Sequence, residues 1–233
     1  VQGGRVGRYL KGGARRDDRP GFLDDQAYLG NAALDLYEAT GEPRFAASAR
    51  EIGEAMLAHH RDRVDGGFYF SPDDAEALIT RTRDAHDQAV PSAASMAALL
   101  CLRLGEMVDA RFTEAGEAQL DRLAEGAVES PLGMGQALLD LDRLVRGSTM
   151  VVLVGAQGAA EGQALADVVY RRYLPQRSLV WIDPSDAASV AAAPLAAEGK
   201  AGREGAVVAY VCRGRSCSSP VTEAAELAKL LEG

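Results

Sequence analysis

Hydrophobic spacing predicts a helical hairpin near the start of the chain. From Phe22 to Thr40 apolar residues recur every three or four positions, the period of a helix with one buried face. The run ends at Gly41, a suitable C-cap residue, and Pro43 follows at a position suited to the first turn of a new helix. A second amphipathic helix is predicted from Arg44 to about His60.

A second helical hairpin follows a long polar loop. Apolar periodicity predicts helices over 92–104, ending at Gly105, and over 111–127, with a fifth helix over 131–146. Between the hairpins, the runs 68–70 and 78–83 are β-prone and flank an acidic turn. We therefore expect a small β-hairpin within this loop.

The pattern changes at Ser148 to that of an α/β unit. A continuous apolar run over 149–154 predicts a buried parallel strand. It is followed by a helix over 161–173, a strand over 178–182, a glycine-rich loop, a strand over 205–211 and a helix over 222–231. Right-handed crossovers are expected in such a unit. The chain is thus predicted to be mainly α, with a basic loop or linker over 1–20, a helical part over 21–147 and a small α/β domain over 148–233.

Charge and composition exclude several function classes. The 233 residues carry a formal net charge of −9, and only 6% are aromatic. We expect no nucleic-acid partner, because the chain is acidic and has few rings to stack on bases. No apolar stretch approaches the length of a membrane span, so we expect no membrane association and a cytoplasmic location. Because the chain begins at Val1 without a methionine, we expect it to be a piece of a longer protein.

Several runs resemble the spermatogenesis-associated protein 20-like family of thioredoxin-domain-containing proteins. They are GFLDDQAYL at 21–29, LYEATG at 36–41, GGFYF at 66–70, LITR at 78–81, AVPS at 89–92 and AYVC at 209–212, in the family's order. The resemblance covers essentially the whole chain. It implies a parent protein with an N-terminal thioredoxin-like domain, an α/α toroid similar to six-hairpin glycosidases and sugar 2-epimerases, and a small α/β tail.

The same resemblance implies that this chain holds a partial toroid. Five helices do not close a twelve-helix toroid, so a helical face is expected to meet the parent's missing toroid helices or a second copy of the chain. The parent's thioredoxin-like domain is a further expected partner. We expect no cofactor and no metal site among these residues, since zinc needs four ligands and no further Cys or His lies near Cys212 and Cys217 in the sequence.

The loop over 66–91 is expected to line a substrate cleft, since long loops gather at one end of such toroids. It carries Arg81, Arg83, Asp84, His86 and Asp87 within seven positions. Sugar chemistry needs acid and base groups beside a positioning arginine, so the two aspartates and the histidine are the candidate catalytic groups and the arginines the candidate anchors. The alternative is that these charges pair with one another and hold the loop.

Further candidate substrate contacts are Asp25, Tyr28, Tyr69 and Ser92. Asp24 or Asp25 with Asp84 or Asp87 is the pairing that would suit a glycosidase, although capping of a helix N-terminus is the ordinary role of such aspartates. Both tyrosines offer a ring and a hydroxyl to a sugar, or else a buried hydrogen bond. The family's Pro-Ser-Gly-Asn-Ser stretch reads PSAAS at 91–95 here, which removes two polar groups beside Ser92.

Histidine placement weakens an epimerase interpretation. An enzyme of that type is expected to use two histidines as acid and base. Here His59 and His60 are predicted at an exposed helix end, which leaves His86 as the single histidine in the cleft loop.

The cysteines are the remaining candidates for chemistry. Cys212 and Cys217 flank a basic turn, so they are redox candidates, with a packed, reduced pair as the alternative. Cys101 is predicted to lie in the core, and three cysteines in a chain of this length favour a reducing compartment.

Two functions are therefore expected. The first is binding or transformation of a carbohydrate-like small molecule in the parent's cleft. The second is a non-catalytic interaction or scaffold module attached to a thioredoxin-like redox domain.

Overall fold

The computed structural model describes residues 1–12, 14–15, 20–76, 79–214 and 216–232. In the segment 1–20, which is predicted to be a loop or linker, two short strands pair antiparallel. They are β1 (Leu10–Lys11) and β2 (Ala14–Arg15). A bridge between Gly7 and Pro20 ties the segment to the start of the first helix. The segment predicted to be a loop therefore contains a small hairpin.

The helical part has two helical hairpins and a fifth helix. Its helices are α1 (Leu23–Thr40), α2 (Pro43–His59), α3 (Ala93–Met107), α4 (Ala110–Glu129) and α5 (Gly135–Arg146), with a 3-10 turn at Pro131–Gly133 before α5. As predicted, α1 ends at Gly41, which has a φ of 70° and donates its N–H to the Tyr37 carbonyl. Pro43 is the first residue of α2.

The prediction that the third helix ends at Gly105 is wrong. α3 continues to Met107, and a Cβ at Gly105 would lie 2.6 Å from the Thr113 backbone nitrogen. Gly105 therefore serves close packing of α3 on α4 rather than helix termination. Gly53 has a similar role, since a Cβ there would lie 2.5 Å from Leu104 Cδ1.

The predicted fifth helix over 131–146 is interrupted. Met134 has a φ of −138°, so the 3-10 turn and α5 are separate elements. The Met134 side chain is 1% exposed and belongs to a cluster of buried apolar residues with Leu120 and Leu123 of α4. Burial of this side chain accompanies the break.

The predicted β-hairpin of the 61–92 loop is not formed in its described part. These residues contribute a single bridge, between Arg61 and Phe68, and a hydrogen bond from the Phe70 N–H to the Thr82 carbonyl. Leu78, which opens the second predicted run, lies outside the described residues. Side-chain contacts, treated below, hold the loop in place of a strand ladder.

The α/β part contains a four-stranded mixed sheet. Its elements are β3 (Thr149–Val154), α6 (Ala160–Tyr170), β4 (Arg177–Ile182), α7 (Ala187–Ala192), α8 (Pro194–Ala197), β5 (Val208–Arg213), β6 (Ser216–Cys217) and α9 (Ala224–Leu230). The strand order is β4-β3-β5-β6, with β4 parallel to β3 and the other neighbouring pairs antiparallel.

Two sequence expectations for this part are wrong. The glycine-rich segment after β4 contains α7 and α8, whose alanines Ala192 and Ala196 are buried in the main core. α6 ends at Tyr170, three residues before the predicted end.

The sheet is buried on both faces, which explains the continuous apolar run of β3. Val152 and Val154 face the helical part and share its core, whereas Val151 and Leu153 pack with α6 and α9. The two parts are also joined by the Tyr37 hydroxyl, which donates to the Trp181 carbonyl at 2.6 Å. Among the described helices, none has the length and apolar character needed to cross a bilayer.

Candidate functional site

The predicted acid residues lie at helix N-termini. One Asp84 carboxylate oxygen accepts the Ala93 N–H at 3.1 Å. Asp87 Oδ1 accepts the Ser92 N–H at 2.8 Å, and its Oδ2 accepts the Gln136 N–H at 2.7 Å. Asp87 thus satisfies free backbone donors at the starts of both α3 and α5, where the helix dipoles also favour a negative charge.

Two further predicted contacts lie at the same place. The Tyr28 hydroxyl donates to the Pro91 carbonyl at 2.8 Å, and Ser92 is the N-cap of α3. Burial raises the pKa of Tyr28, and the charges of Asp87, Asp24 and Asp84 raise it further. We call Tyr28, Asp84, Asp87 and Ser92 the helix-end cluster.

His86 and Asp25, two further predicted site residues, have different surroundings. The His86 side chain is exposed. Asp25 accepts the Phe22 N–H at 2.9 Å and pairs with Arg8 at 3.0 Å, so it caps α1. Of the three predicted catalytic residues, His86 is exposed to solvent. Asp84 and Asp87 are instead bonded to backbone N–H groups at the helix starts.

Arg81, Arg83 and Tyr69 form a second group, the arginine stack. The Tyr69 ring has the Arg81 guanidinium at 4.3 Å and the Arg83 guanidinium at 4.2 Å from its centroid. Arg81 donates to the Ser71 and His59 carbonyls, and Arg83 pairs with Asp62 at 2.5 Å. The Tyr69 hydroxyl donates to the same Asp62 carboxylate at 2.8 Å. These contacts hold the 61–84 loop, in whose described part strand pairing is limited to the Arg61–Phe68 bridge.

The expectation that His60 is exposed is wrong. Its side chain is 1% exposed, and burial lowers its pKa to about 4. Its Nδ1 lies 3.1 Å from the Tyr69 carbonyl oxygen, an acceptor, so Nδ1 carries the ring proton and donates it to that oxygen. His59 is half-buried and bonds Asp73 at 2.9 Å.

One group of metal-type ligands exists among the described residues. Ligand atoms of His59, Asp73 and Asp74 lie within 4.8 Å of one another. Both aspartates are exposed, and Asp74 forms a bidentate pair with Arg5. An exposed, internally paired cluster of this kind is common without a metal.

Sequence reasoning missed a polar groove bounded by α1, α3 and α5. It has a volume of about 470 Å³ and is closed on one side by the segment 172–177, which joins α6 to β4. Its charged lining residues are Asp35, Glu38, Arg103, Asp140, Arg143, Arg172 and Arg177. Volumes of this size are typical of small-molecule sites.

Asp140 is the unusual group in this groove. It is 1% exposed, and burial raises its pKa to about 7, despite the nearby charge of Arg143. Its Oδ1 accepts the Gln136 side-chain N–H at 2.8 Å, so Gln136 joins the groove to the helix-end cluster through Asp87. A buried carboxyl that titrates near neutrality is a recurrent feature of functional sites.

The cysteine pair is not reduced. Cys212 and Cys217 form a disulfide between directly paired positions of β5 and β6, so the expectation of a packed, reduced pair is wrong. Cys212 is buried and Cys217 is exposed. Cys101 is free, as predicted lies in the core, and has its pKa raised to about 12 by burial.

Comparison with known proteins identifies relatives over most of the chain. Human spermatogenesis-associated protein 20 is 29% identical over 91% of this chain, and the mouse protein of the same name is 28% identical over 99%. The resemblance to the spermatogenesis-associated protein 20-like family is confirmed. An uncharacterised protein of Caenorhabditis elegans is 28% identical over 90% of the chain. No protein-family model matches the chain.

The match covers most of this chain but only part of spermatogenesis-associated protein 20. The chain spans 27% of the human protein and 30% of the mouse protein. Most of each relative's length thus has no counterpart among these 233 residues, and the relatives' names specify no reaction or ligand.

Proposed function

We propose that the chain is part of a larger protein of the spermatogenesis-associated protein 20 type, and that it binds or transforms a carbohydrate-like small molecule at the helix-end cluster. In this proposal the five helices form part of an α/α toroid. The parent's remaining toroid helices and its thioredoxin-like domain, or a second copy of the chain, are the expected protein partners at the open helical face.

Convergence of polar groups at the N-termini of α3 and α5 carries this proposal. Tyr28 lies in α1, Asp84 and Ser92 lie at the start of α3, and Asp87 joins α3 to α5. Each carboxylate oxygen has a second lone pair, which suits the hydroxyl groups of a sugar. Backbone anchoring fixes the orientation of these carboxylates before a ligand binds.

His86 is assigned a hydrogen bond to the bound ligand as well as the proton transfer. It is exposed beside the cluster, and one imidazole nitrogen can accept a proton while the other donates one. Asp84 and Asp87 orient the ligand and its hydroxyl groups. Asp25 caps α1, and Arg81, Arg83 and Tyr69 hold the loop that leads to Asp84.

The test is a saccharide titration by isothermal calorimetry and thermal shift, with glucose and maltose as probes. The chain and a full-length relative are measured in parallel. We expect binding that His86→Gln lowers at least fivefold, whereas the exposed control Glu226→Gln leaves it unchanged. Absence of saccharide binding by both proteins, or binding that His86→Gln leaves unchanged, would contradict the proposal.

A second candidate function is supported by the disulfide. Cys217 is exposed, so a dithiol protein's thiolate can attack its sulfur, break the bond to Cys212 and form a mixed disulfide. The partner's second thiol then resolves that bond, which leaves the partner oxidised and both cysteines reduced. In this alternative the chain is an interaction module for a redox domain.

The compartment bears on this alternative. A cytoplasmic location is part of our proposal, and disulfides in that compartment are usually transient or redox-active. A thioredoxin-like protein lacking its resolving cysteine should trap wild-type chain as a mixed disulfide at Cys217. Failure to trap it, with the Cys212–Cys217 bond intact after incubation, would exclude the exchange role.

A further inference from the structure

The groove between α1, α3 and α5 contains two buried polar atoms without hydrogen-bond partners in the described part of the chain. They are Asp140 Oδ2 and Arg177 Nε. Both residues line the same cavity of about 470 Å³. An unpaired polar atom out of contact with water costs free energy, so two at one cavity indicate groups that a ligand satisfies.

The other buried charges of the groove are already compensated. Arg103 pairs with Asp35 at 2.8 Å and Glu38 at 2.9 Å, and Arg143 pairs with Glu106 at 2.6 Å. These pairs fix the walls of the groove and leave little of their charge for a ligand.

Arg177 differs from those two arginines. Its Nε lies 4.0 Å from Glu38 Oε2, beyond hydrogen-bond distance, and its guanidinium lies 5.7 Å from the Tyr170 ring centroid. Arg172, on the same segment, pairs with the largely exposed Glu232 at 3.0 Å, a weak surface contact. The segment 172–177 thus presents a guanidinium donor to the groove.

We propose that this groove binds a small hydroxylated organic acid, whose carboxylate accepts the Arg177 Nε–H and whose hydroxyl group bonds Asp140 Oδ2. This site is separate from the helix-end cluster and does not depend on the function proposed there. The acid class follows from Arg177, because a guanidinium binds carboxylates more strongly than neutral acceptors. The hydroxyl follows from Asp140, since a hydroxyl group pairs with either protonation state of its oxygen.

Protonation of Asp140 couples this binding to pH. Asp140 has a pKa of about 7, so lowering the pH removes a negative charge beside the bound acid and gives Oδ2 a proton to donate. The charged groups around it are Arg143 on α5, Asp87 before α3, Arg103 on α3, Asp35 and Glu38 on α1, and Arg172 and Arg177 on the closing segment. The arginines favour a bound anion throughout this pH range, because guanidinium groups remain charged.

Calorimetric titration with D-glucuronate tests the proposal, with D-glucose as the neutral probe that differs at one carbon. We expect glucuronate to bind more tightly than glucose, and its affinity to rise up to tenfold from pH 8 to pH 6. Arg177→Gln should lower glucuronate affinity at least tenfold. Arg177→Lys keeps the charge without Nε and should give an intermediate loss.

Asp140→Asn distinguishes the pH mechanism from general charge effects. It holds the neutral form at every pH, so glucuronate affinity should become the same at pH 6 and pH 8. Unfolding curves for each variant establish that the fold is retained. Equal affinity for the two sugars, or glucuronate binding unchanged in both Arg177 variants, would overturn the proposal.

The outcomes separate the two proposed sites. Glucuronate binding that depends on Arg177 and not on His86 supports the groove, whatever the fate of the helix-end cluster. Glucose or maltose binding that depends on His86 and not on Arg177 or Asp140 supports the cluster. Glucuronate binding that depends on His86 and not on Arg177 or Asp140 overturns the groove.

Discussion

Asp87 and Asp140 are linked by a single residue, Gln136. The backbone N–H of Gln136 donates to Asp87, and its side-chain amide donates to Asp140. The contact connects the loop before α3, the start of α5 and the interior of the groove. It makes the position of α5 depend on a residue of the polar loop, so the loop is part of the helical framework.

Replacing Asp87 should therefore destabilise two helix starts at once. Loss of one N-cap typically costs about 1 kcal/mol, so we expect Asp87→Ala to lower the free energy of unfolding by about 2 kcal/mol. Asp109→Ala is the matched control, because Asp109 caps one helix start, that of α4, through the Arg111 N–H. Its ion pair with the Arg111 guanidinium at 3.0 Å is a weak surface contact. Urea denaturation of both variants measures the difference. Equal losses would show that Asp87 stabilises one helix start rather than two.

The arginine stack should control the exposure of the 61–84 loop to proteases. Arg83→Met replaces the hydrocarbon stem of the arginine but removes its guanidinium. The variant therefore loses the ion pair with Asp62, the hydrogen bond to the Phe68 carbonyl and the contact with the Tyr69 ring. We expect chymotrypsin to cleave the variant several-fold faster at the aromatic run 68–70. Arg63→Met, an exposed arginine of the same loop, is the control and should be cleaved at the wild-type rate. Equal cleavage of the two variants would rule out a restraining role for Arg83.

Long periodic elements could be predicted from the sequence, and interrupted ones could not. α1, α2 and β3 each carry an uninterrupted apolar pattern along their whole length, so apolar spacing and turn residues locate them within one or two positions. In the sequence, Gly105 looks like a glycine that ends a helix. Its actual role is close packing against Thr113 on another helix. A long-range contact of this kind leaves no local pattern.

The groove could not be predicted because its buried face carries charges. On α5, Asp140 and Arg143 are buried, whereas Leu139 and Val145 are 56% and 82% exposed. Periodicity assigns apolar residues to the core, so it places these side chains on the opposite faces. Partners distant in sequence, such as Glu106 for Arg143, determine the arrangement.

The pH dependence of stability should show two opposing contributions. Burial lowers the pKa of His60 to about 4, so the unfolded chain binds a proton first and stability falls as the pH drops from about 6.5 to 4. Burial raises the pKa of Asp140 to about 7, so stability falls as the pH rises from about 4 to 7. Each contribution is at most about 3 to 4 kcal/mol, from the size of the shifts.

Single variants separate these contributions in urea titrations at pH 4, 6 and 8. Asp140→Asn should gain stability relative to wild type at pH 8 and little at pH 4. His60→Gln should be less stable than wild type at pH 8, and this difference in the free energy of unfolding should shrink as the pH falls to 4. Parallel pH profiles for wild type and Asp140→Asn would contradict the assignment of a raised pKa to Asp140.

Thiol counting should report the state of the three cysteines. Folded, unreduced protein should show no reactive thiol, because Cys212 and Cys217 are bonded and Cys101 is buried with its pKa raised to about 12. Unfolding without reductant should release one thiol, and unfolding after dithiothreitol should release three. Cys101→Ser is the control and should reduce the unreduced, unfolded count to zero. Three thiols in unreduced, unfolded wild-type protein would show that the Cys212–Cys217 bond does not form, and the exchange role at Cys217 would fall with it.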